Sequence, residues 1–325
     1  MARRPNEEGE WRWLFLVGLA CIVCFSIYFM LSPLFATRIS ADWSNGLQIA
    51  KDEVVEDISG CCKGVEHQEL WGAVAKWGTD HLVNSSRECC QACKTMCGDD
   101  GPCLCNSWVY CGDQQRCGDK YRQCWLKKQE DMFSPDIQES HSEVYWTSGL
   151  VYGSKGIVAL ETQYGAIRLK LLPDCAPKSV AYILELLKLR HCAGCHFYRA
   201  EGRGVAWDTE GRQLTKDITG PPYAVLQGSL EAQSFAFKEL PLEACPMMKR
   251  GMVGWLGGGP DFFISLANHG EWYPKHTVFA TVIREDMALV EKLADLPTTL
   301  NVWNGVKVYV LNENVNLKVT RSKTT

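Results

Sequence analysis

Eleven of the chain's 17 cysteines fall between Cys61 and Cys124, and this run restricts the fold more than any other feature. A short stretch with few aliphatic residues cannot bury enough apolar surface to hold itself together, so it needs covalent staples. Such density is typical of disulfide frameworks formed in an oxidising compartment. Cys89, Cys93 and Cys97 recur every four residues, which stacks them on one face of a helix. Zinc is a competing use, because Cys90 and Cys93 form a Cys-x-x-Cys pair. A redox-active pair is a weaker one, because no Cys-x-x-Cys set stands apart after a strand. Behind the membrane anchor read below, disulfides are favoured over zinc; no metal and no cofactor is expected. Eleven is odd, so one cysteine pairs elsewhere or stays free.

The N-terminal part carries a second constraint. Leu14 to Leu31 contains no charged residue, and continued to Phe35 it is long enough to cross a bilayer as a helix. Trp11 and Trp13 would mark one interface. The rival is a cleaved signal peptide, whose apolar core is shorter. Residues 14–35 are therefore expected to be a transmembrane signal-anchor. Arg3, Arg4 and Arg12 precede the segment and only Arg38 closely follows it, which makes residues 1–13 a cytoplasmic tail. Asn84-Ser85-Ser86 is a glycosylation sequon on the same side as the cysteines. The expectation is a single-pass glycoprotein of the Golgi apparatus or endoplasmic reticulum with its bulk in the lumen. A net charge of −4 and the lack of a basic patch give no sign of nucleic-acid binding.

Residues 36–65 read as a stem, 66–128 as the cysteine-rich domain and 129–156 as a polar linker. After Gly156 the cysteine density falls and periodic apolar pattern rises, which marks a domain boundary. Val158, Leu160, Ile167, Leu169 and Leu171 keep roughly to a period of two, and the break at Tyr164-Gly165 makes a hairpin. Pro177 fits the first turn of a helix that places Val180, Ile183, Leu184 and Leu187 on one face. Cys195 to Arg199 then reads as the end of a strand. Met287, Val290 and Leu293 recur at helical spacing, and Val306 to Leu311 alternate as a strand. Residues 312–325 are left as a tail.

These stretches carry two resemblances. The C-C-x-x-C run from Cys89, the Trp108-Val109 strand and the closing C-W-L-K of Cys124 to Lys127 resemble a PAN/apple-like module. That implies a protein or glycan ligand; the plainer alternative is a rigid spacer. Residues 157–311 resemble the cyclophilin family of peptidyl-prolyl isomerases. The stretches that carry this are E-T-Q-Y-G-A-I-R-L, A-P-K-S-V, the H-F-Y-R of His196 to Arg199, L-Q-G of Leu226 to Gly228, D-F-F-I of Asp261 to Ile264 and K-H-T-V-F-A of Lys275 to Ala280. The fold expected is mainly β: an eight-stranded antiparallel barrel closed by two helices, beside a small disulfide-rich domain and a single transmembrane helix.

The reaction this resemblance implies needs no covalent catalyst. An Xaa-Pro bond turns slowly because rotation breaks amide resonance, with a barrier of about 20 kcal/mol. A site need only favour the twisted amide over both planar forms, through one fixed donor near its nitrogen and an apolar socket for the ring. The resemblance assigns the donor to Arg199, the orienting amide to Gln227 and the socket floor to Phe263. It puts Trp255, Leu256, Trp272 and His276 in contact with substrate. Departures from the family pattern are several. Tyr198 replaces a His, Ser229 a second Gly, and Asp261 a Gln. Leu256 and Gly257 replace a small Ala and an Asn, and Gly202 to Pro222 looks like an inserted loop beside or over the cleft. The function expected is isomerisation or recognition of Xaa-Pro bonds in secretory-pathway clients. The alternative is a catalytically inactive domain that binds or scaffolds a partner protein or a glycan-processing enzyme.

Overall fold

The computed structural model describes residues 61–97, 103–189, 192–214, 221–233, 236–243 and 246–322. The cysteine-rich part contributes strands β1 (Val65–Glu66), β2 (Gln68–Leu70) and β3 (Ala73–Lys76), then helix α1 (Ser86–Lys94). It continues with β4 (Ser107–Cys111), the short helix α2 (Gln114–Cys117), β5 (Cys124–Lys128), β6 (Ile137–Ser140) and β7 (Trp146–Leu150). Five of these strands form one antiparallel sheet in the order β1-β7-β4-β5-β3, and β2 pairs with β6 apart from it.

Strand β4 is buried on both faces, and its alternation divides the core in two. Trp108 and Tyr110 face α1 with Cys89, Cys93 and Leu126, while Val109 and Cys111 pack with Leu70, Val144 and Trp146. The Trp108 ring lies so close over Gly149 that a Cβ there would come within 2.6 Å of it, so the sheet requires glycine at that position. Helix α1 starts where Ser85 Oγ accepts the Glu88 N–H, an ordinary serine N-cap.

All described cysteines are paired. Cys89–Cys124, Cys93–Cys105 and Cys97–Cys103 tie α1 and its C-terminal extension to the sheet side, Cys62–Cys90 ties it to the entering chain, and Cys111–Cys117 closes a short loop. The partner of the odd cysteine is distant. Cys61 joins Cys175, 114 residues on, and so staples the cysteine-rich part to the second half of the chain. Lys94 Nζ reinforces this junction by pairing with Asp174 Oδ2 at 2.6 Å and donating to the Cys61 carbonyl.

From Ile157 the chain forms β8 (Ile157–Thr162), β9 (Gly165–Leu171), helix α3 (Pro177–Lys188), β10 (His196–Glu201), β11 (Val225–Ser229), β12 (Met252–Trp255) and β13 (Asp261–Ser265). It ends with β14 (Val278–Val282), helix α4 (Met287–Ala294), β15 (Thr298–Trp303), β16 (Val306–Asn316) and β17 (Lys318–Arg321). The β8–β9 hairpin, both helices and the strand through Arg199 lie where their periodicity predicts. Pro177 occupies the first turn of α3, and Val180, Ile183 and Leu184 are buried beneath it. Met287, Val290 and Leu293 are the buried face of α4.

Two expectations are corrected. The sheet is not an eight-stranded closed barrel: ten strands run in the order β15-β16-β10-β11-β13-β12-β14-β9-β8-β17, with β15 and β17 at its two ends. The long last strand is broken at Leu317, which buries its side chain and gives its N–H to the Cys195 carbonyl. Only beyond this break does β17 pair with β8. Secondly, no helix among the described residues is long and apolar enough to cross a membrane, and α3, at 12 residues, is the longest described. The expected span at 14–35 lies outside the described residues. The single-pass topology, the membrane partner and the Golgi or endoplasmic-reticulum localisation therefore have no support here and are withdrawn.

Candidate active site

Cross-strand register assembles the candidate residues. Arg199 on β10 stands opposite Gln227 on β11, and Gln227 stands opposite Phe263 on β13. Three side chains far apart in sequence thus lie in a row across neighbouring strands. The close approach that this needs is visible at Gly228, where a Cβ would come within 2.4 Å of the His196 carbonyl.

The register slips between Phe197 and Arg199 on both sides of β10. This is a bulge, in which an extra residue redirects the side chains after it. Phe197 is buried in the core, and both Tyr198 and Arg199 reach Gln227. Arg199 Nη1 donates to Gln227 Oε1 at 2.9 Å, while Gln227 Nε2 donates to Tyr198 Oη. Burial, aided by the nearby Asp261 carboxylate, pushes the Tyr198 phenol up to about 12. Tyr198 therefore stays a neutral hydroxyl.

Arg199, Gln227, Leu256, Phe263, Trp272 and His276 line one cavity of about 340 Å³. Trp272 and His276 meet the Phe263 ring edge-on, with centroids 5.4 and 5.2 Å away, and His269 stacks flat behind Trp272 at 3.7 Å. His276 Nδ1 lies 2.9 Å from the Trp255 carbonyl. A carbonyl only accepts, so the imidazole proton sits on Nδ1. Burial holds the His276 pKa below its ordinary value of 6.5, leaving a neutral ring at the wall.

Trp255 is placed differently from expectation. Its side chain is buried, stacked on Phe279 at 4.3 Å and edge-on to Tyr182; only its carbonyl touches the site, through His276. Asn84 is exposed at the mouth of α1, its Oδ1 accepting from Arg122 Nη2 at 2.6 Å. The loop after β10 lies beside the cleft. Trp207 is buried against His269, the Asn268 N–H donates to the Gly211 carbonyl, and the loop borders a separate cavity with Glu291 and Asp295. Among the described residues of the loop, Tyr223 at its end is the one that reaches the Arg199 cavity.

Sequence reasoning missed the rest of the cavity. Trp303, Val306 and Val308 of the β15–β16 hairpin form a further wall. The Arg199 guanidinium lies 5.4 Å from the Tyr223 ring and 5.7 Å from the Trp303 ring, both within cation–π range. Glu201, beneath Arg199, was also missed. Its signal was available: residues two apart on a strand share a face, so Arg-x-Glu places acid and base together.

Comparison with known proteins bears on the second half of the chain. Residues 157–315 match the family described as cyclophilin type peptidyl-prolyl cis-trans isomerase/CLD. No match was found among curated proteins. Among solved structures, a cyclophilin type peptidyl-prolyl cis-trans isomerase of Cryptosporidium parvum, crystallised in the presence of the dipeptide Ala-Pro, is 15% identical with a TM-score of 0.35. It covers 52% of this chain and 99% of its own. A second structure of that protein is 14% identical, with the same coverage and TM-score. None of these findings supports a PAN/apple-like identity for the cysteine-rich part. The family match makes residues 157–315 a cyclophilin-type peptidyl-prolyl isomerase domain.

Proposed function

We propose that residues 157–315 bind Xaa-Pro segments of protein clients in the Arg199 cavity and catalyse their cis/trans interconversion. The observation that carries this reading is the convergence of Arg199, Gln227, Phe263, Trp272 and His276 on one cavity. In the proposed mechanism the proline ring rests on Phe263, walled by Trp272 and neutral His276. Arg199 aims an N–H at the nitrogen of the twisting amide, whose lone pair is localised only near the transition state. The interaction is therefore stronger there than in either planar form, as catalysis requires. Gln227 holds the guanidinium from the side, and Leu256 narrows the rim where the residue before proline enters. Arg keeps its charge at any physiological pH, so the donor needs no titrating partner.

For the cysteine-rich part we infer the binding role of a PAN/apple-like module, with a protein or glycan ligand. The helix stapled to its sheet and the exposed Trp71 and Trp77 support that reading. The isomerase reading is tested by exchange NMR on a panel of Xaa-Pro peptides with the full-length protein. Acceleration above the uncatalysed rate, lost in Arg199→Ala, is expected; no acceleration on any peptide overturns it.

A further inference from the structure

The Arg199 guanidinium is bound from below by a carboxylate that the proposed chemistry does not use. Glu201 has no solvent-exposed side-chain surface, and its Oε1 lies 2.9 Å from Arg199 Nε and 2.8 Å from Arg199 Nη2. The same carboxylate accepts the Tyr223 N–H at 2.7 Å and lies 3.4 Å from the Tyr309 N–H. Tyr223 lies two residues before the buried strand β11 and turns its ring toward Arg199, while Tyr309 sits on β16. One carboxylate thus joins β10, the neck of the loop after it and the hairpin strand that walls the cavity.

We infer that Glu201 is a positioning residue for the proline site, acting through Arg199; this rests on the reading proposed above. Guanidinium has five N–H donors in a rigid fork. Glu201 takes those on its Nε side and Gln227 takes one on Nη1, leaving N–H groups on both Nη atoms for a bound peptide. Tyr223 and Trp303 flank it. Without Glu201 a guanidinium on its long stem spreads over many rotamers, and a misplaced group loses most of its catalytic value. A buried negative charge also weakens the field of the cation above it. The geometry points to fixing the donor as the larger effect, because the acceptor nitrogen is neutral and short-ranged hydrogen bonding sets the rate.

The test uses full-length protein. Glu201→Gln keeps the size and an acceptor for the Tyr223 N–H but loses the charge. Its turnover of an Xaa-Pro peptide should fall roughly tenfold or more with KM little changed. Adding Glu201→Gln to Arg199→Ala should cause no further fall, because Glu201 acts only through the Arg. Unchanged or raised turnover in folded Glu201→Gln, or an additive loss in the double variant, overturns the inference.

A readout independent of activity is the Arg199 Nε–H resonance in wild-type protein, assigned by its loss in Arg199→Lys. A locked ion pair predicts a shifted, slowly exchanging signal; the averaged position of a free guanidinium overturns the inference even where Glu201→Gln does not fold. Wild-type protein that turns over no peptide removes the isomerase reading alone, and this resonance still decides whether the fork is locked.

Discussion

Replacing Arg199 with alanine should cost stability as well as rate, and the two losses have separate origins. Arg199 is 12% exposed in its side chain and Glu201 is 0% exposed, so removing the Arg strands a buried carboxylate. Breaking a buried pair from one side costs about 3–5 kcal/mol. Glu201 keeps the Tyr223 N–H as a strong donor and the Tyr309 N–H as a weak one, which sets the expectation at about 3 kcal/mol, the low end of that range. The double variant Arg199→Ala/Glu201→Gln removes the uncompensated charge and should recover most of the loss. Turnover behaves otherwise: loss of one fixed donor costs about 3 kcal/mol in the transition state, roughly a hundredfold, and the second substitution does not restore it. Urea unfolding at pH 7 reads the first effect and exchange NMR the second. Stability of Arg199→Ala within about 1 kcal/mol of wild type, the span of ordinary surface substitutions and small core changes, would refute the account of a buried, paired carboxylate.

Three further outcomes are expected. Cys61→Ser/Cys175→Ser opens a closed loop of 114 residues and should lower unfolding stability by about 2–4 kcal/mol; an unchanged denaturation midpoint would show that the staple adds nothing to the Lys94–Asp174 junction. His276 and His269 both have pKa values held below 6.5, chiefly by burial, so folding favours their neutral forms. The stability they contribute is complete above pH 6.5 and is lost as the pH falls through their folded-state values. Urea midpoints should therefore be flat above neutrality and decline in acid, less steeply in His276→Asn, and an identical acid decline in that variant would count against the wall as described. Leu256→Ala widens the rim beside Phe263 and should preserve or raise turnover of peptides with a large residue before proline; a uniform fall across the panel would mean that Leu256 supports the socket instead of narrowing it.

Much of the second half was legible because burial imposes period. The alternation from Val158 to Leu171 and the stripe on α3 each have one buried face, so the residue order alone specifies them. Arg199, Gln227 and Phe263 were singled out through short motifs, and cross-strand register brings the three side by side. What was not legible depends on geometry between strands. The bulge at Tyr198 and the break at Leu317 are single-residue events with no compositional mark, and only beyond the second does β17 pair with β8. Trp255 was expected in the cleft, but alternation along β12 turns its ring into the core against Phe279. The hairpin bearing Trp303 comes late in the chain and reaches the site only because β16 pairs with β10. The partner of the odd cysteine could not be read either, since Cys175 lies in the other half of the molecule and spacing carries no connectivity.

The proposed activity stands or falls with Arg199 lowering the barrier to Xaa-Pro rotation in this cavity. The most direct measurement is two-dimensional exchange NMR of Xaa-Pro peptides with wild-type and Arg199→Ala proteins side by side, each shown to be folded. Cis/trans exchange faster than the uncatalysed rate is expected with wild type and about a hundredfold weaker catalysis with Arg199→Ala, with peptide affinity largely retained. Exchange that never exceeds the uncatalysed rate, or a genuine acceleration that Arg199→Ala leaves intact, would contradict that expectation.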